Sequence, residues 1–357
     1  MTRKLKVAVL LSLVLAGILF ASIAAEAFNL SSDMELGIEY NYNLNQTNIF
    51  NNFNIEISDW VNSDIYLLAD FEITSDLDEI DFNRGEAYLD YYGQNTDYRI
   101  GWQTISWGAV DGNSPVDTMN PRDLSDPFAD DNKIAVPAIA VEHYFDNTKL
   151  DFIYQPVAEG DKLPGLTPEL PDRDLKNPAL GLRYSYSSRD FDLAGIYSRT
   201  LNYNPEVSAT EYYFENSIGG ELVYQFDRSI TRLDLAYNIP EDDYQDIIDN
   251  ELNYAATYEI NITSALLFLG GIQGSQSDED ILIFNLDYMY DFYQNISFGA
   301  AYSLEESDYL INLEYTNDIA DGMELKAGLY YFGDDNQGAY GQFQDDDHIY
   351  LSITRSF

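Results

Sequence analysis

The last residues of the chain, Asp345-Asp-Asp-His-Ile-Tyr-Leu-Ser-Ile-Thr-Arg-Ser-Phe357 (DDDHIYLSITRSF), decide the fold. Ile349, Leu351 and Ile353 stand at alternate positions, and Phe357 keeps this spacing at the end of the sequence. Alternation with a period of two is typical of a β-strand that has one apolar face. These residues therefore predict a strand that ends on an aromatic side chain.

The same alternation continues along the chain, with polar residues between the apolar ones. Clear cases are Ile65 to Phe71, Leu180 to Tyr186 and Met323 to Tyr331. A tilted strand that crosses a bilayer needs about 9–11 residues, with one face toward lipid and one toward water. About eighteen segments fit, and sixteen is the alternative count. We therefore expect an all-β fold, a transmembrane antiparallel β-barrel. The competing interpretation, a secreted sandwich or propeller, lacks a visible blade-length repeat.

The connections between these segments alternate in length. Counted from Met34, short links follow strands 4, 6, 8 and 12, and long links follow strands 5, 7, 9, 11 and 17. Outer-membrane barrels have short turns at one rim and long loops at the other, whereas a soluble sandwich has no reason to alternate. The short links are 93–96, 146–148, 187–189 and 261–263, and the long links are 107–133, 158–178, 200–210, 240–250 and 333–346.

The first residues predict a secretory signal peptide over 1–27, followed by one barrel domain over 28–357. Arg3, Lys4 and Lys6 precede the apolar run 7–20, and Ala25-Glu-Ala27 supplies small residues around a cleavage point. The alternative is an uncleaved membrane anchor, for which the apolar run is short. The sequence contains no Cys, which excludes a lipoprotein anchor, disulfides and thiolate metal sites.

The formal net charge of −44 limits the partners. Binding to nucleic acid requires the opposite sign, so we expect no nucleic-acid partner. An acidic lumen would favour cations, while adaptation to high salt would explain the same charge without selectivity. The 30 Tyr and 19 Phe are too many for a disordered acidic chain and fit the aromatic girdles of a barrel.

The segment from Arg99 to Leu124 carries the densest functional pattern. Tyr98, Ile100 and Trp102 alternate with Arg99 and Gln103, so the polar set should face the lumen. The loop that follows contains apolar residues that a loop in solvent would not need. We therefore expect this third external loop to fold inward and narrow the pore. These apolar residues are Val110, Val116, Met119, Leu124 and Phe128.

This segment resembles Gram-negative porin-like outer-membrane channels, including the alginate-export-like barrels. The resemblance is an Arg-x-Gly-x-Gln strand, a Trp-Gly pair and an Asn-Pro-x-Asp element, and the terminal Phe357 looks like the assembly signal of such barrels. The scarcity of Lys and Arg departs from channels for anionic polysaccharide. The matching residues are Arg99, Gly101, Gln103, Trp107, Gly108, Asn120, Pro121 and Asp123.

The resemblance implies a passive channel in the cell outer membrane for small hydrophilic solutes or cations, with no cofactor. The expected partners are outer-membrane lipid and the barrel-assembly machinery, which would recognise the strand ending in Phe357. A homotrimer is one arrangement such channels adopt. The alternative function is a structural or adhesive barrel with an occluded lumen, since strand number separates filled from open barrels.

A porin-type constriction sets basic residues on the wall against acidic residues on the loop, which screens solutes by charge. Here the same groups could instead pair locally and fix the loop in place. An enzyme is disfavoured, because His143 and His348 are the only histidines and neither stands beside a candidate nucleophile. The candidate constriction residues are Arg84, Glu86, Arg99, Gln103, Asp111, Asp117, Arg122 and Asp123.

Overall fold

The sheet closes on itself, because β1 pairs with β18 as well as with β2. All eighteen strands are antiparallel to their neighbours in chain order, so the predicted barrel and its strand number are confirmed. At the seam Leu36 lies opposite Ile353, and the N–H of Phe357 donates to the Ser32 carbonyl at 2.9 Å. Closure leaves no strand edge unpaired, as a lipid environment requires.

The computed structural model describes residues 29–76, 80–110, 113–124, 133–162, 177–202, 212–241, 248–277, 280–333 and 340–357. The predicted signal peptide lies outside these ranges. Within them, no helix has the length and apolarity to cross a bilayer. The elements are β1 (Asn29–Asn41), β2 (Gln46–Trp60), β3 (Ile65–Ser75), β4 (Ile80–Tyr92), β5 (Thr96–Gln103), β6 (Val136–Tyr144), β7 (Thr148–Gln155), β8 (Ala179–Ser187), β9 (Phe191–Asn202), β10 (Tyr213–Gln225), β11 (Ser229–Pro240), β12 (Glu251–Thr263), β13 (Leu266–Ser275), β14 (Ile281–Met289), β15 (Gln294–Ser303), β16 (Tyr309–Ala320), β17 (Met323–Phe332), the short 3-10 helix η1 (Gly341–Asp346) and β18 (His348–Ser356).

The links confirm the predicted alternation. Every link that follows an even-numbered strand has two to four residues, whereas the links after β5, β7, β9, β11 and β17 are the long ones. The longest joins β5 to β6 and spans 104–135, slightly more than the 107–133 expected. We refer to it as the long loop. The barrel therefore has one rim of tight turns and one rim of loops.

Each strand has an apolar face and a polar face. On β5 the side chains of Tyr98, Ile100 and Trp102 are 41%, 53% and 38% exposed, while Gln103 on the other face is buried. A closed barrel points one face of each strand outward and the other inward. Because the apolar set is exposed along the whole sheet, the polar face lines the interior. Further outward residues are Leu36, Ile38, Leu182, Tyr184, Leu235, Tyr237, Leu351 and Ile353.

Candidate functional site

The long loop packs apolar side chains against the wall of the barrel. Trp107, Val116 and Met119 are buried, with 8%, 1% and 2% of their surface exposed. Burying a large apolar side chain is worth about 1.5–3 kcal/mol, which favours a fixed position over a free loop. Together with Ile105 they form one cluster with residues of β6, β7, β9 and β11, namely Val136, Ala138, Ala140, Ile153, Ile196 and Ala236.

Small residues on the wall make room for these side chains. A Cβ atom added at Gly181 in β8 would lie 2.4 Å from Cη2 of Trp107 and 2.8 Å from Sδ of Met119. At Gly219 in β10 it would lie 2.5 Å from Cγ1 of Val116. The glycines are therefore complementary to the loop, because any larger side chain would displace it.

Asp234 on β11 holds the loop backbone. Its Oδ2 accepts hydrogen bonds from the N–H groups of Ala109 and Val110, both at 2.8 Å, and from Oγ of Ser114 at 2.7 Å. Asp234 has no exposed surface. Three donors on one carboxylate oxygen compensate its burial, and hydrogen bonds to a charged acceptor are among the stronger ones.

Glu221 on β10 makes the neighbouring contact. Its Oε1 accepts the N–H of Gly108 at 2.8 Å, and Gly108 has a φ of +104°, which an L side chain rarely adopts. Oε2 of Glu221 also accepts a hydrogen bond from Nη2 of Arg183 at 2.6 Å, and Nη1 of Arg183 lies 3.4 Å from Oδ2 of Asp151. The Trp-Gly pair of the sequence is thus where the loop backbone meets a charged network on β7, β8 and β10.

The Asn-Pro element closes the loop at its base. Oδ1 of Asn120 accepts the N–H of Ile105 at 2.6 Å, and its Nδ2 donates to the Ile134 carbonyl at 2.7 Å and the Gln103 carbonyl at 3.2 Å. The Gln103 amide in turn donates to the Ala138 carbonyl at 3.0 Å. Asn120 therefore ties both ends of the loop together.

Two further contacts fix the middle of the loop to the polar face. Nε2 of Gln155 in β7 donates to the Met119 carbonyl at 2.6 Å. Oγ1 of Thr118 lies 2.8 Å from Oγ of Ser198 in β9. With the contacts above, the described parts of the loop reach strands β6 to β11, about a third of the sheet.

The link between β7 and β8 joins the same assembly. Asp123 of the long loop forms an isolated β-bridge with Lys162 of this link, and the Arg122 N–H donates to Oδ1 of Asp161 at 2.7 Å. Arg122 also forms an isolated β-bridge with Lys133 within the loop. Burial raises the pKa of the Asp161 carboxyl above its usual range, and the hydrogen bond from Arg122 opposes this only in part. Asp161 is therefore a poorly solvated carboxyl group in the link between β7 and β8, and it accepts a hydrogen bond from the backbone of the long loop.

The predicted wall residues Glu86 and Arg99 lie on the polar face, and each is bound to a neighbouring residue that the prediction did not include. Nε of Arg99 lies 2.7 Å from Oδ1 of Asp90 on the adjacent strand, and the guanidinium stacks 3.8 Å above the Tyr88 ring. Oε1 of Glu86 accepts both the N–H and the hydroxyl of Thr104, at 2.5 and 2.7 Å. For Arg84 the structure describes the backbone in β4 alone.

The predicted acidic loop residues also find cations close by. Oδ2 of Asp117 lies 2.5 Å from Nζ of Lys133 and 3.9 Å from Nη2 of Arg122. Asp123 pairs with Lys162 at 2.7 Å. Asp111 lies outside the described residues. The structure thus brings these groups together as local ion pairs within the loop and its neighbouring link, and not as a contact between loop acids and Arg99.

Sequence reasoning missed the residues that hold the loop most firmly, Asp234 and Glu221. Both face inward by the alternation of their strands, and Asp234 lies next to the exposed Leu235. Alternation was the only available signal, and it marks many inward acids equally. Choosing these two requires knowing which strands the loop meets.

Two cavities border the long loop. One, of about 410 Å³, lies toward the rim of loops and is lined by the end of β9, the starts of β10 and β12, and residues 113–122. The other, of about 280 Å³, lies toward the rim of turns and includes Asp97, Tyr144 and Arg183. The loop therefore has polar space on both sides.

No family model matches the chain, and no curated protein matches it. Solved structures do match, at low identity. For OpdK of Pseudomonas aeruginosa, solved with vanillate, the identity is 10% and the TM-score 0.60, covering 93% of this chain and 100% of that one. OccD3 (OpdP) of the same organism has 10% identity and a TM-score of 0.62, covering 93% and 91%. OpdQ, also from that organism, has 12% identity and a TM-score of 0.58, covering 92% and 98%.

The fold is therefore that of outer-membrane porins. The apolar exterior agrees with this fold, because exposed Leu, Ile and aromatic side chains on strands around the barrel suit a bilayer and not water. Both observations indicate the outer membrane as the location of the barrel.

Proposed function

We propose that this protein is a passive channel for small hydrophilic solutes, with the long loop folded inward to narrow the pore. The observation that carries the proposal is the hydrogen bonding of loop residues 108–110 and Ser114 to Glu221 and Asp234 on the polar face. A loop that hydrogen-bonds to inward side chains of β10 and β11 occupies space within the barrel. Eighteen strands leave room for water beside it.

We further propose that the channel prefers cations. The cavity on the loop-rim side of the long loop is lined by five carboxylates against one arginine, among the described residues. A pore with walls of one sign concentrates counter-ions and raises their passage relative to anions. The charged lining residues are Asp117, Glu159, Asp161, Glu215, Glu251 and Arg122.

Single-channel recording of the refolded barrel in planar bilayers under a KCl gradient tests both parts. Discrete open steps would establish a channel. A reversal potential close to the K⁺ equilibrium potential would establish a preference for cations. Open steps that do not distinguish K⁺ from Cl⁻ would indicate that the acidic composition reflects adaptation to high salt. Deleting residues 112–126 should enlarge the steps, because the narrowing segment is shortened. A barrel without conductance, also after this deletion, would contradict the channel and leave a structural role.

A further inference from the structure

The cavity on the loop-rim side, about 410 Å³ in volume, has an inner wall rich in hydrogen-bond acceptors. We call this part of the wall the acceptor panel and define it as Glu215, Asn238, Glu251, Asn253 and Gln273, from β10 to β13. Its members lie side by side because of strand register. Asn238 lies opposite Glu251, Ala236 lies opposite Asn253, and Ala255 lies opposite Gln273.

The panel faces the interior. Leu235 and Tyr237 on β11, and Leu252 on β12, alternate with panel residues and are 40–42% exposed on the outer face. Across the cavity stand Ser114, Asp117 and other residues of the long loop. A solute that passes the loop would therefore meet the panel on one side and the loop on the other.

Glu215 is a buried carboxylate without a counter-ion. Only 7% of its surface is exposed, and within the described ranges its carboxylate accepts one side-chain hydrogen bond, from Nδ2 of Asn202 to Oε2 at 3.2 Å. Among the described residues no Lys, Arg or His pairs with it, and Oε1 has no protein donor. Burying a carboxylate without a cation is costly, and a cationic ligand would reduce that cost.

The amides beside it also lack donors. Oδ1 of Asn238 and Oε1 of Gln273 are fully buried atoms with no hydrogen-bond partner among the described residues. Native proteins pair the large majority of such atoms, and an unpaired acceptor often marks a place for a ligand or water. Both residues line the cavity, so a ligand bound there would lie beside these acceptors.

Glu251 supplies a second carboxylate on the same face. It accepts Oγ of Ser275 at 2.7 Å and also the hydroxyl of Ser277, and like Glu215 it has no cationic partner in the described part of the chain. Two strand spacings separate β10 from β12, and Glu215 lies opposite Pro240 whereas Glu251 lies opposite Asn238. The Cα atoms of the two acids are therefore roughly 10 Å apart across the sheet and offset by two residues along it. This separation suits two cationic groups joined by a short chain.

We propose that the acceptor panel binds aliphatic diamines, with one ammonium group at Glu215 and the other at Glu251. The proposal rests on the channel function above and names a solute class for it. Each ammonium has three donors and no acceptor, which complements a wall with unpaired acceptor oxygens. The alkyl chain would cross β11 at Asn238, which lies opposite Glu251.

The test is block of single-channel current by 1,4-diaminobutane, compared with 1-aminobutane as the matched monoamine. We expect the diamine to shorten or reduce open steps at concentrations where the monoamine has little effect. Glu215→Gln and Glu251→Gln should each weaken block about tenfold. The control is Glu35→Gln, because Glu35 also accepts one amide hydrogen bond of 3.2 Å, from Asn52 on the opposite side of the barrel. It should leave block unchanged.

Calorimetry on the refolded barrel in detergent separates this proposal from the channel function. Binding of the diamine that both glutamine variants weaken supports the panel even if the barrel does not conduct. Normal conductance with equal effects of diamine and monoamine, or block that is unaffected by Glu215→Gln and Glu251→Gln, would overturn the diamine site and leave the channel intact. An equal loss of diamine block or binding in the Glu35→Gln control would mean that the overall acidity of the lumen causes the effect, which also contradicts the proposal.

Discussion

Ser114 donates its hydroxyl to Oδ2 of Asp234 at 2.7 Å, and this bond joins the long loop to a residue of β11 that stands 120 positions later in the chain. The same oxygen binds the backbone N–H groups of Ala109 and Val110. The carboxylate thus fixes both a side chain and the backbone of the loop. Because Asp234 is buried, each of these hydrogen bonds is stronger than it would be in water, and breaking one has a high free-energy cost.

Asp234→Asn should loosen the loop. The amide oxygen can take the place of Oδ2, but the charge is lost and the NH₂ group is buried at the position of Oδ1, which has no partner among the described residues, at a cost of about 1–3 kcal/mol. We expect more frequent current fluctuations and a larger mean conductance in single-channel recordings of the refolded variant.

The matched control for this change is Asp308→Asn. Asp308 is also fully buried and its Oδ2 accepts two backbone N–H groups, from Tyr340 at 2.7 Å and Gly341 at 2.8 Å, but it holds a different loop. It should alter stability without changing conductance. Similar conductance in both variants and the unmodified protein would show that Asp234 does not set the loop position.

Gly181→Ala should displace the loop by steric pressure. The new Cβ would lie 2.4 Å from Trp107, so the indole must move or the strand must bend. Overpacking of this kind costs about 1–3 kcal/mol. We expect a lower thermal stability and faster proteolysis within the loop. Gly195→Ala is the control, because a Cβ at Gly195 has no neighbour within 4 Å. Equal proteolysis of the two variants would contradict close packing at Gly181.

Alternation predicted most of the fold. Tyr98, Ile100 and Trp102 were placed on the outer face from their spacing alone, and their exposure agrees. Strand number and the order of short and long links followed from the same reasoning, because a barrel requires both a period of two and turns of alternating length. The inward direction of Arg99 and Gln103 was predictable for the same reason.

The hydrogen-bond and ion-pair partners of the inward side chains could not be predicted from alternation. Arg99 binds Asp90 because β4 and β5 pair in the register that sets these two residues opposite each other, and register is not visible in one strand. Asp117 meets Lys133 because the loop turns back on itself. The role of Asp234 depends on a contact between distant parts of the chain. Spacing in sequence carries no information about such contacts.

Phe357→Ala should reduce assembly in cells more than stability. The backbone N–H of Phe357 bonds to Ser32 across the seam, and this bond does not need the aromatic ring. If the ring is a signal for the assembly machinery, the variant should refold in detergent with the heat-modifiable mobility of the unmodified barrel but accumulate poorly in the outer membrane. Phe292→Ala, which removes an aromatic ring that is 94% exposed, is the control. Normal accumulation of the Phe357 variant would exclude a signalling role for the ring.

Asp161→Asn should make the barrel less sensitive to pH. Because burial raises the pKa of Asp161 in the folded protein, the native state holds this proton more tightly than the unfolded chain does. Its contribution to stability is therefore complete below the unfolded pKa of 3.8 and is lost as the pH rises through the higher folded value. The asparagine still accepts the Arg122 N–H and carries no charge. In urea unfolding of the detergent-solubilised barrel, we expect the variant to match the unmodified protein near pH 4 and to exceed it at pH 7. The control is Asp190→Asn, which changes an exposed aspartate in the short link between β8 and β9. An unmodified barrel that gains stability over the variant as the pH rises would mean that ionised Asp161 stabilises the loop.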